Sequence, residues 1–366
     1  MADSLDFEAL EAAGIAGARE RAGLIEYLAG LGFTADDMVE AERRGRLFGL
    51  AGDVLLWSGP PIYTLRTAAD AIGVALEEVE HGWAMLGLTV ADPDAPALSQ
   101  ADVDSLATWV AMRMQNGPDA ADGFLRVLGA NVARVAEAIS SMIRTSQPKM
   151  WLGLTGDELA TAQVYREAAK FVPRVGAMID AVHRHHLVST RTFIEGIDTG
   201  PSASLLCGVG FADLSGFTAL TQLLTPAELS TMLTEFGATV SDVVHADGGR
   251  VVKFLGDAVM WVSSSPERLA EAALHLVEHP RAREAGIQVR AGLGYGQILA
   301  INGDYFGNAV NLAARLVAAA SPGQILADGA VHEQLPDWPA IVQEPLQLKG
   351  FDEPVTAYDL RSGPRR

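Results

Sequence analysis

Apolar residues recur every three to four positions through residues 1 to about 195, as in Leu106, Trp109, Val110 and Met114, a period that predicts amphipathic helices. Breaks at Ser58-Gly-Pro-Pro, Asp92-Pro-Asp-Ala-Pro, Asn116-Gly-Pro and Gln147-Pro divide this half into a bundle of about eight to ten helices. Near residue 203 the period shortens. Ser204 to Asp213 reads as a strand and Pro226 to His245 as a long helix. Gly249 to Phe254 and Ala258 to Val262 read as a hairpin around Leu255-Gly256-Asp257. A helix from Pro266 to His279 follows, then strands over Gln288 to Tyr295 and Gln297 to Asn302, and a helix from Asn308 to Ala320. Strands near Gln324 to Ala327, Val342 to Leu348 and Val355 to Leu360 close the chain. This order predicts an α+β class: an all-helical bundle (1–193), a Gly/Asp/Pro/Ser-rich linker (194–203), and an antiparallel sheet with helices related to the ferredoxin-like arrangement (204–362).

Composition narrows the function more than the fold. A chain of 366 residues with 49% apolar residues has material for two cores. A formal charge of −19 argues against general affinity for nucleic acid or anionic membrane, which needs a basic face. The single cysteine, Cys207, lies in an apolar run and reads as a core residue without a disulfide partner. The first residues lack a basic n-region and an apolar h-region, and no apolar stretch approaches the ~20 residues that span a bilayer. A cytoplasmic location without a membrane span is therefore expected.

Three patches of the second half carry candidate chemistry. In Phe211-Ala-Asp213-Leu-Ser-Gly216-Phe217-Thr218 an acid closes a buried strand before a helix start, an arrangement suited to a cation bound to phosphate and also common in purely structural turns. In Lys253-Phe-Leu-Gly256-Asp257-Ala-Val-Met260 the acid sits at a hairpin tip, and pairing of the two strands would carry Asp257 to the end of the first strand. Two carboxylates there suit two magnesium ions. In Asp304-Tyr-Phe-Gly307-Asn-Ala-Val-Asn311-Leu-Ala-Ala-Arg315 the last two polar residues sit four apart and share one helix face. They can position a ribose and clamp a phosphoryl group, or belong to an ordinary salt-bridged surface helix.

Taken together, the patches F-x-D-L-x-G-F-T, K-x-x-G-D-A-V-M and G-x-x-V-N-x-A-x-R resemble the class III nucleotidyl cyclase catalytic domain over roughly Ser204 to Leu360. The resemblance implies that Asp213 and Asp257 bind two Mg²⁺ or Mn²⁺ ions per active site. It implies that Lys253 and Asp304 select the purine, Asn311 orients the ribose, Arg315 stabilises the transition state, and Lys349 contacts the terminal phosphates. It also implies a homodimer with composite sites, in which the aspartates of one chain face the remaining residues of the other. Base choice has a physical side: a lysine donor and an aspartate acceptor complement N1 and N6 of adenine, whereas guanine reverses that pattern. The expected reaction is conversion of ATP to 3′,5′-cyclic AMP and pyrophosphate. A guanylyl cyclase is the alternative within enzymes, and a nucleotide- or DNA-binding regulator the alternative outside them.

The helical half resembles, less specifically, the regulatory half of soluble mycobacterial-type cyclases with an autoinhibitory, pH-responsive N-terminal domain. Residues 64 to 88 follow a helix-turn-helix pattern around Ile72-Gly73-Val74, but Arg66 is their only base beside Asp70, Glu77, Glu78 and Glu80, so a packing role is expected rather than DNA reading. His183, His185 and His186 precede the linker, where they suit either a pH sensor or a solvated basic helix end. The apolar composition of the bundle also admits a lipid or other small effector.

Overall fold

The computed structural model describes residues 6–146, 156–195, 204–217, 221–284 and 286–361. The break at Gln147-Pro, Thr218 of the first motif and positions 196–203 of the expected linker lie outside the described residues. The chain divides into two units, Met1–His185 and His186–Arg366.

In the first unit, helices α1 (Phe7–Ala12), α2 (Ala22–Gly30), α3 (Ala35–Arg43) and α4 (Leu50–Asp53) surround one core that includes Ile15, Ile25, Leu28 and Met38. Helix α9 (Glu158–Ala169) joins this core through Ala162 although it lies far along the chain. Polar contacts fix it there. Arg21 bridges Glu42 at 2.7 Å and Glu158 at 2.6 Å, and the Tyr165 hydroxyl donates to Asp53 at 2.6 Å. A second core is built by α5 (Leu65–Ile72), α6 (Leu76–Met85), α7 (Gln100–Asn116) and the start of α8 (Pro118–Ser146). Gly73, with φ +82°, turns α5 into α6, and Trp109 lies so close to Gly82 that a Cβ there would meet its ring at 2.6 Å. The expected helix-turn-helix is therefore a packed corner of this core. Helix α10 (Val172–Glu195) has no buried residue, and it carries His183, His185 and His186, all exposed.

The second unit is one eight-stranded sheet in the order β2-β3-β1-β4-β6-β8-β7, with β5 paired to β4. The strands are β1 (Ser204–Ser215), β2 (Arg250–Leu255), β3 (Ala258–Ser263), β4 (Gln288–Ile301), β5 (Asp304–Phe306), β6 (Ile325–Ala327), β7 (Ala340–Val342) and β8 (Tyr358–Leu360). Helices α11 (Pro226–Ala246), α12 (Pro266–Val277), α13 (Pro280–Glu284), α14 (Asn308–Ala319) and α15 (Gly329–Gln334) complete it. Alternation along β1 sorts its residues: Ala212 and Leu214 enter one core with Val240, Leu269 and Val331, while Leu205, Cys207, Val209 and Phe211 enter the opposite core with Ala309 and Ala313. Burial pushes the Cys207 thiol up to about 12, consistent with an inert core residue.

Three expectations change. The two strands read over 288–302 are one 14-residue strand, β4. One sheet pair, β4 with β6, is parallel, so the sheet is mixed. The expected strand over Val342 to Leu348 stops at Val342, and beyond it only a single bridge joins Leu346 to Val355.

Candidate active site

Strand register sets the first half of the site. Asp213, third from the end of β1, lies opposite Ala258 of β3 and Arg290 of β4. Leu255 pairs with Ala258, so Gly256 and Asp257 form a two-residue loop. Gly256 has φ +67° and Asp257 does not have a positive φ, the pattern of a type II′ turn that needs glycine first. That turn leaves Asp257 one residue from Ala258, and its carboxyl reaches the Asp213 carboxyl. Burial raises the Asp257 carboxyl above the ordinary carboxylate range. The hydrogen bond and charge of Asp213 add to the rise, while its own backbone amide and Arg290 oppose it.

Arg290 was not foreseen from the sequence. Its guanidinium donates to the Asp213 carboxylate at 2.6 and 3.2 Å, and also to the carbonyls of Ala318 and Ala320 at 3.3 Å, at the end of α14. The signal was present: a lone arginine inside the small and apolar run Val289-Arg290-Ala-Gly-Leu-Gly is unusual for a central strand.

The second half of the site is also built on a primed turn. Ile301 pairs with Asp304, and Asn302 and Gly303 between them have φ +54° and +75°, a type I′ Asn-Gly turn. This hairpin brings Asp304 to Lys253 of β2, with which it forms an ion pair; both side chains are about one-third exposed. The other Asp304 oxygen accepts the Tyr305 amide at 2.8 Å.

Helix α14 carries Asn311 and Arg315 on its exposed side, while Ala309, Leu312, Ala313, Leu316 and Val317 are buried. It seats on a stripe of glycines in β4. A Cβ on Gly292 would lie 2.2 Å from the Val317 nitrogen, and one on Gly294 would lie 2.5 Å from the Ala309 carbonyl oxygen. Backbone thus meets backbone with no side chain between. Lys349 is exposed on a turn in which the Phe351 amide donates to the Leu348 carbonyl at 3.1 Å and Gly350 has φ +89°.

The chain therefore brings Asp213 to Asp257, Lys253 to Asp304, and Asn311 to the same face as Arg315. Among the described residues, no hydrogen bond or ion pair joins the aspartate pair to Lys253, Asp304, Asn311, Arg315 or Lys349. Nor do the described residues contain a group of three or more His, Cys, Asp or Glu arranged around a metal position. Two adjacent carboxylates with one arginine nevertheless fit a hard cation of the magnesium type, which binds through one or two carboxylates and completes its shell with water and substrate phosphates.

Comparison with known proteins finds relatives for both halves of the chain. Residues 203–362 match the Adenylate and Guanylate cyclase catalytic domain, and residues 4–190 match the Adenylate cyclase regulatory domain. An uncharacterized protein of Mycobacterium tuberculosis is 68% identical over 365 residues, covering 100% of this chain and 97% of the relative. An adenylate cyclase of Streptomyces coelicolor is 33% identical over 278 residues, covering 75% of this chain and 71% of that protein. A pH-sensitive adenylate cyclase of Mycobacterium tuberculosis is 29% identical over 370 residues, covering 95% and 89%.

Proposed function

Since the chain belongs to the adenylate and guanylate cyclase family and carries the adenylate cyclase regulatory domain ahead of the catalytic one, we propose that it converts ATP to 3′,5′-cyclic AMP and pyrophosphate. The observation that carries this reading is the contact of the strand-end Asp213 with the hairpin-tip Asp257 beside Arg290.

Asp213 and Asp257 would hold two divalent cations, Mg²⁺ or Mn²⁺, which would supply activation of the ribose 3′-hydroxyl and neutralisation of triphosphate charge. Arg290, a planar donor fork, holds the Asp213 carboxylate in place against the end of α14. Lys253 and Asp304 read adenine by donating to N1 and accepting from N6, so their mutual ion pair is replaced by the base edge. Asn311 holds the ribose in place. Arg315 stabilises charge developing on the α-phosphoryl group as the O3′–P bond forms and the bond to the β-phosphate oxygen breaks. Lys349 contacts the departing pyrophosphate.

Among the described residues no hydrogen bond or ion pair joins the two half-sets, which supports a C2 homodimer with two composite sites. Exposed apolar side chains at the tips that carry the site, among them Leu255 and Phe306 (each 51% exposed), support burial against a second copy. The residues 1–193 act as the regulatory domain and 204–362 as the catalytic one, joined by 194–203, and the helical half adjusts activity in response to pH or a small ligand. The enzyme is placed in the cytoplasm as part of this reading; among the described residues, no helix is long and apolar enough to cross a membrane.

Purified full-length protein should form cyclic AMP from ATP, and much less cyclic GMP from GTP, only with Mg²⁺ or Mn²⁺. Asp257→Ala should abolish the activity. Metal-independent product, or product unaffected by Asp257→Ala, would sink the catalytic assignment. A chain beginning at residue 202 with the same rate and pH profile as the full chain would sink the regulatory one.

A further inference from the structure

A buried carboxylate outside the catalytic set ties β4, the strand on which the Asn311 and Arg315 helix is seated, to the start of α15. Asp328 is 5% exposed and stands where β6 ends and α15 begins. Up to this point β6 runs parallel to β4, and the Asp328 amide continues the ladder by donating to the Leu293 carbonyl at 3.0 Å. The next ladder bond would need the Asp328 carbonyl to accept from the Tyr295 amide. That carbonyl has already turned into α15, where it accepts from the His332 amide at 3.1 Å. The side chain takes over. One carboxylate oxygen accepts from Tyr295 at 3.2 Å, and the other caps α15 by accepting from Val331 at 2.7 Å.

Tyr295 lies between Gly294 and Gly296, the segment on which the first turn of α14 rests. The Gly294 backbone supports Ala309 there directly, and Asn311 is two residues further on. We propose that Asp328 is a positioning residue for the reaction: its carboxylate straps β4 to the start of α15 and so sets the backbone seat from which α14 presents Asn311 and Arg315. The role demands two acceptor atoms on one short side chain. A serine, as good a cap as an aspartate, has one hydroxyl oxygen for two amide donors. An asparagine, or a protonated aspartic acid, has one acceptor oxygen and would face the second amide with a donor.

The same logic makes the strap responsive to pH. Burial pushes the Asp328 carboxyl up to about 6, against the backbone amides of Val331, Tyr295 and Ala330, and with help from the charge of Glu333. The other titratable groups at this junction are Tyr295 on β4, His332 on α15 and Tyr358 on β8, the last two stacked with ring centroids 4.0 Å apart. The α12 residues that share this core, such as Leu269, Ala273 and Leu276, are apolar.

This inference rests on the cyclase reading of Asn311 and Arg315, and its test separates the two. In the full-length protein, Asp328→Asn keeps the shape and neutral charge of the protonated acid. At pH 7.5 it should melt no lower than wild type, lower kcat about tenfold with KM for ATP within about twofold, and flatten the part of the pH–rate profile near 6. Asp328→Ser, which keeps the cap and loses the strap, should show the same loss of kcat if the asparagine variant does not fold. Wild-type kcat and an unchanged pH profile in either folded variant would overturn the proposal. Hydrogen exchange at the Tyr295 amide, which needs no turnover, should be faster in both variants, and equal protection would overturn the strap. Should wild type form no cyclic AMP at all, the cyclase reading fails while the exchange measurement still decides whether the strap exists.

Discussion

Replacing Gly292 by alanine is the sharpest test of how the site is seated. Gly292 lies in β4 without an unusual φ, so the substitution adds a methyl group and no backbone strain. That methyl carbon would stand 2.2 Å from the Val317 nitrogen and 2.4 Å from the Ala313 carbonyl oxygen, both of them backbone atoms of α14. Ordinary contact begins near 3.5 Å, so the helix must back away by about 1 Å. No rotamer change can relieve the clash, which places it at the upper end of the overpacking range, about 3 kcal/mol. For a unit of this size that corresponds to a fall in melting temperature of roughly 6–12 °C. The same displacement moves Asn311 and Arg315, and misplacement by about 1 Å is enough for up to ~10²-fold in kcat. Gly296→Ala is the matched control. Its methyl would meet only the Ala309 Cβ at 3.6 Å, an ordinary contact, so its stability should stay within about 0.5 kcal/mol of wild type. Calorimetry of the purified variants with initial rates of cyclic AMP formation reads both effects. If Gly292→Ala melts within ~2 °C of wild type and turns over normally, or if the two variants behave alike, then α14 is not seated on bare backbone as described.

Three further outcomes follow from other parts of the molecule. Lys253→Met removes the donor proposed for adenine N1 and strands Asp304 without its ion pair; kcat/KM for ATP should fall about 10²-fold, and the ATP:GTP ratio should move toward unity in a competition assay. Asp328 has a folded pKa of about 6 against an ordinary 3.8, so the folded protein holds this proton more tightly than the unfolded chain. Its protonation therefore adds stability that is complete below the ordinary value and is lost as pH rises through 6, at most about 3 kcal/mol, read as a melting difference between wild type and Asp328→Asn that shrinks on going from pH 7.5 to 5. In the helical unit, Tyr165→Phe deletes the 2.6 Å bond to Asp53 that fastens α9 to α4 and should cost about 1.5–3 kcal/mol in urea unfolding of that unit.

Much of the catalytic unit is readable in the chain because its turns are chemically explicit. Gly256-Asp257 between two apolar runs dictates a two-residue hairpin, and that hairpin by itself carries Asp257 to the level of Asp213. Asn302-Gly303 is an equally explicit signal for the β4–β5 hairpin. The strand expected over Gln297 to Asn302 runs into that turn, and three glycines at alternate positions, Gly292, Gly294 and Gly296, interrupt the strand pattern of β4. Glycine weakens a strand on local propensity, and only the approach of a helix backbone explains why the strand continues through them.

The residue patterns determined by themselves where the helical half gives way to strands, and how the acids sit relative to their own turns. These are properties of neighbours in the chain, set by side-chain period and by the few backbone shapes open to glycine and asparagine. Tertiary structure alone decided that Arg290 answers Asp213, that Asp328 completes a ladder its own carbonyl has left, and that α9 closes a core begun well over a hundred residues earlier. Each of these joins atoms far apart in sequence. A distant charge or hydrogen-bond partner imposes no period on the chain, and it becomes visible only when the sheet has its register and the helices their seats.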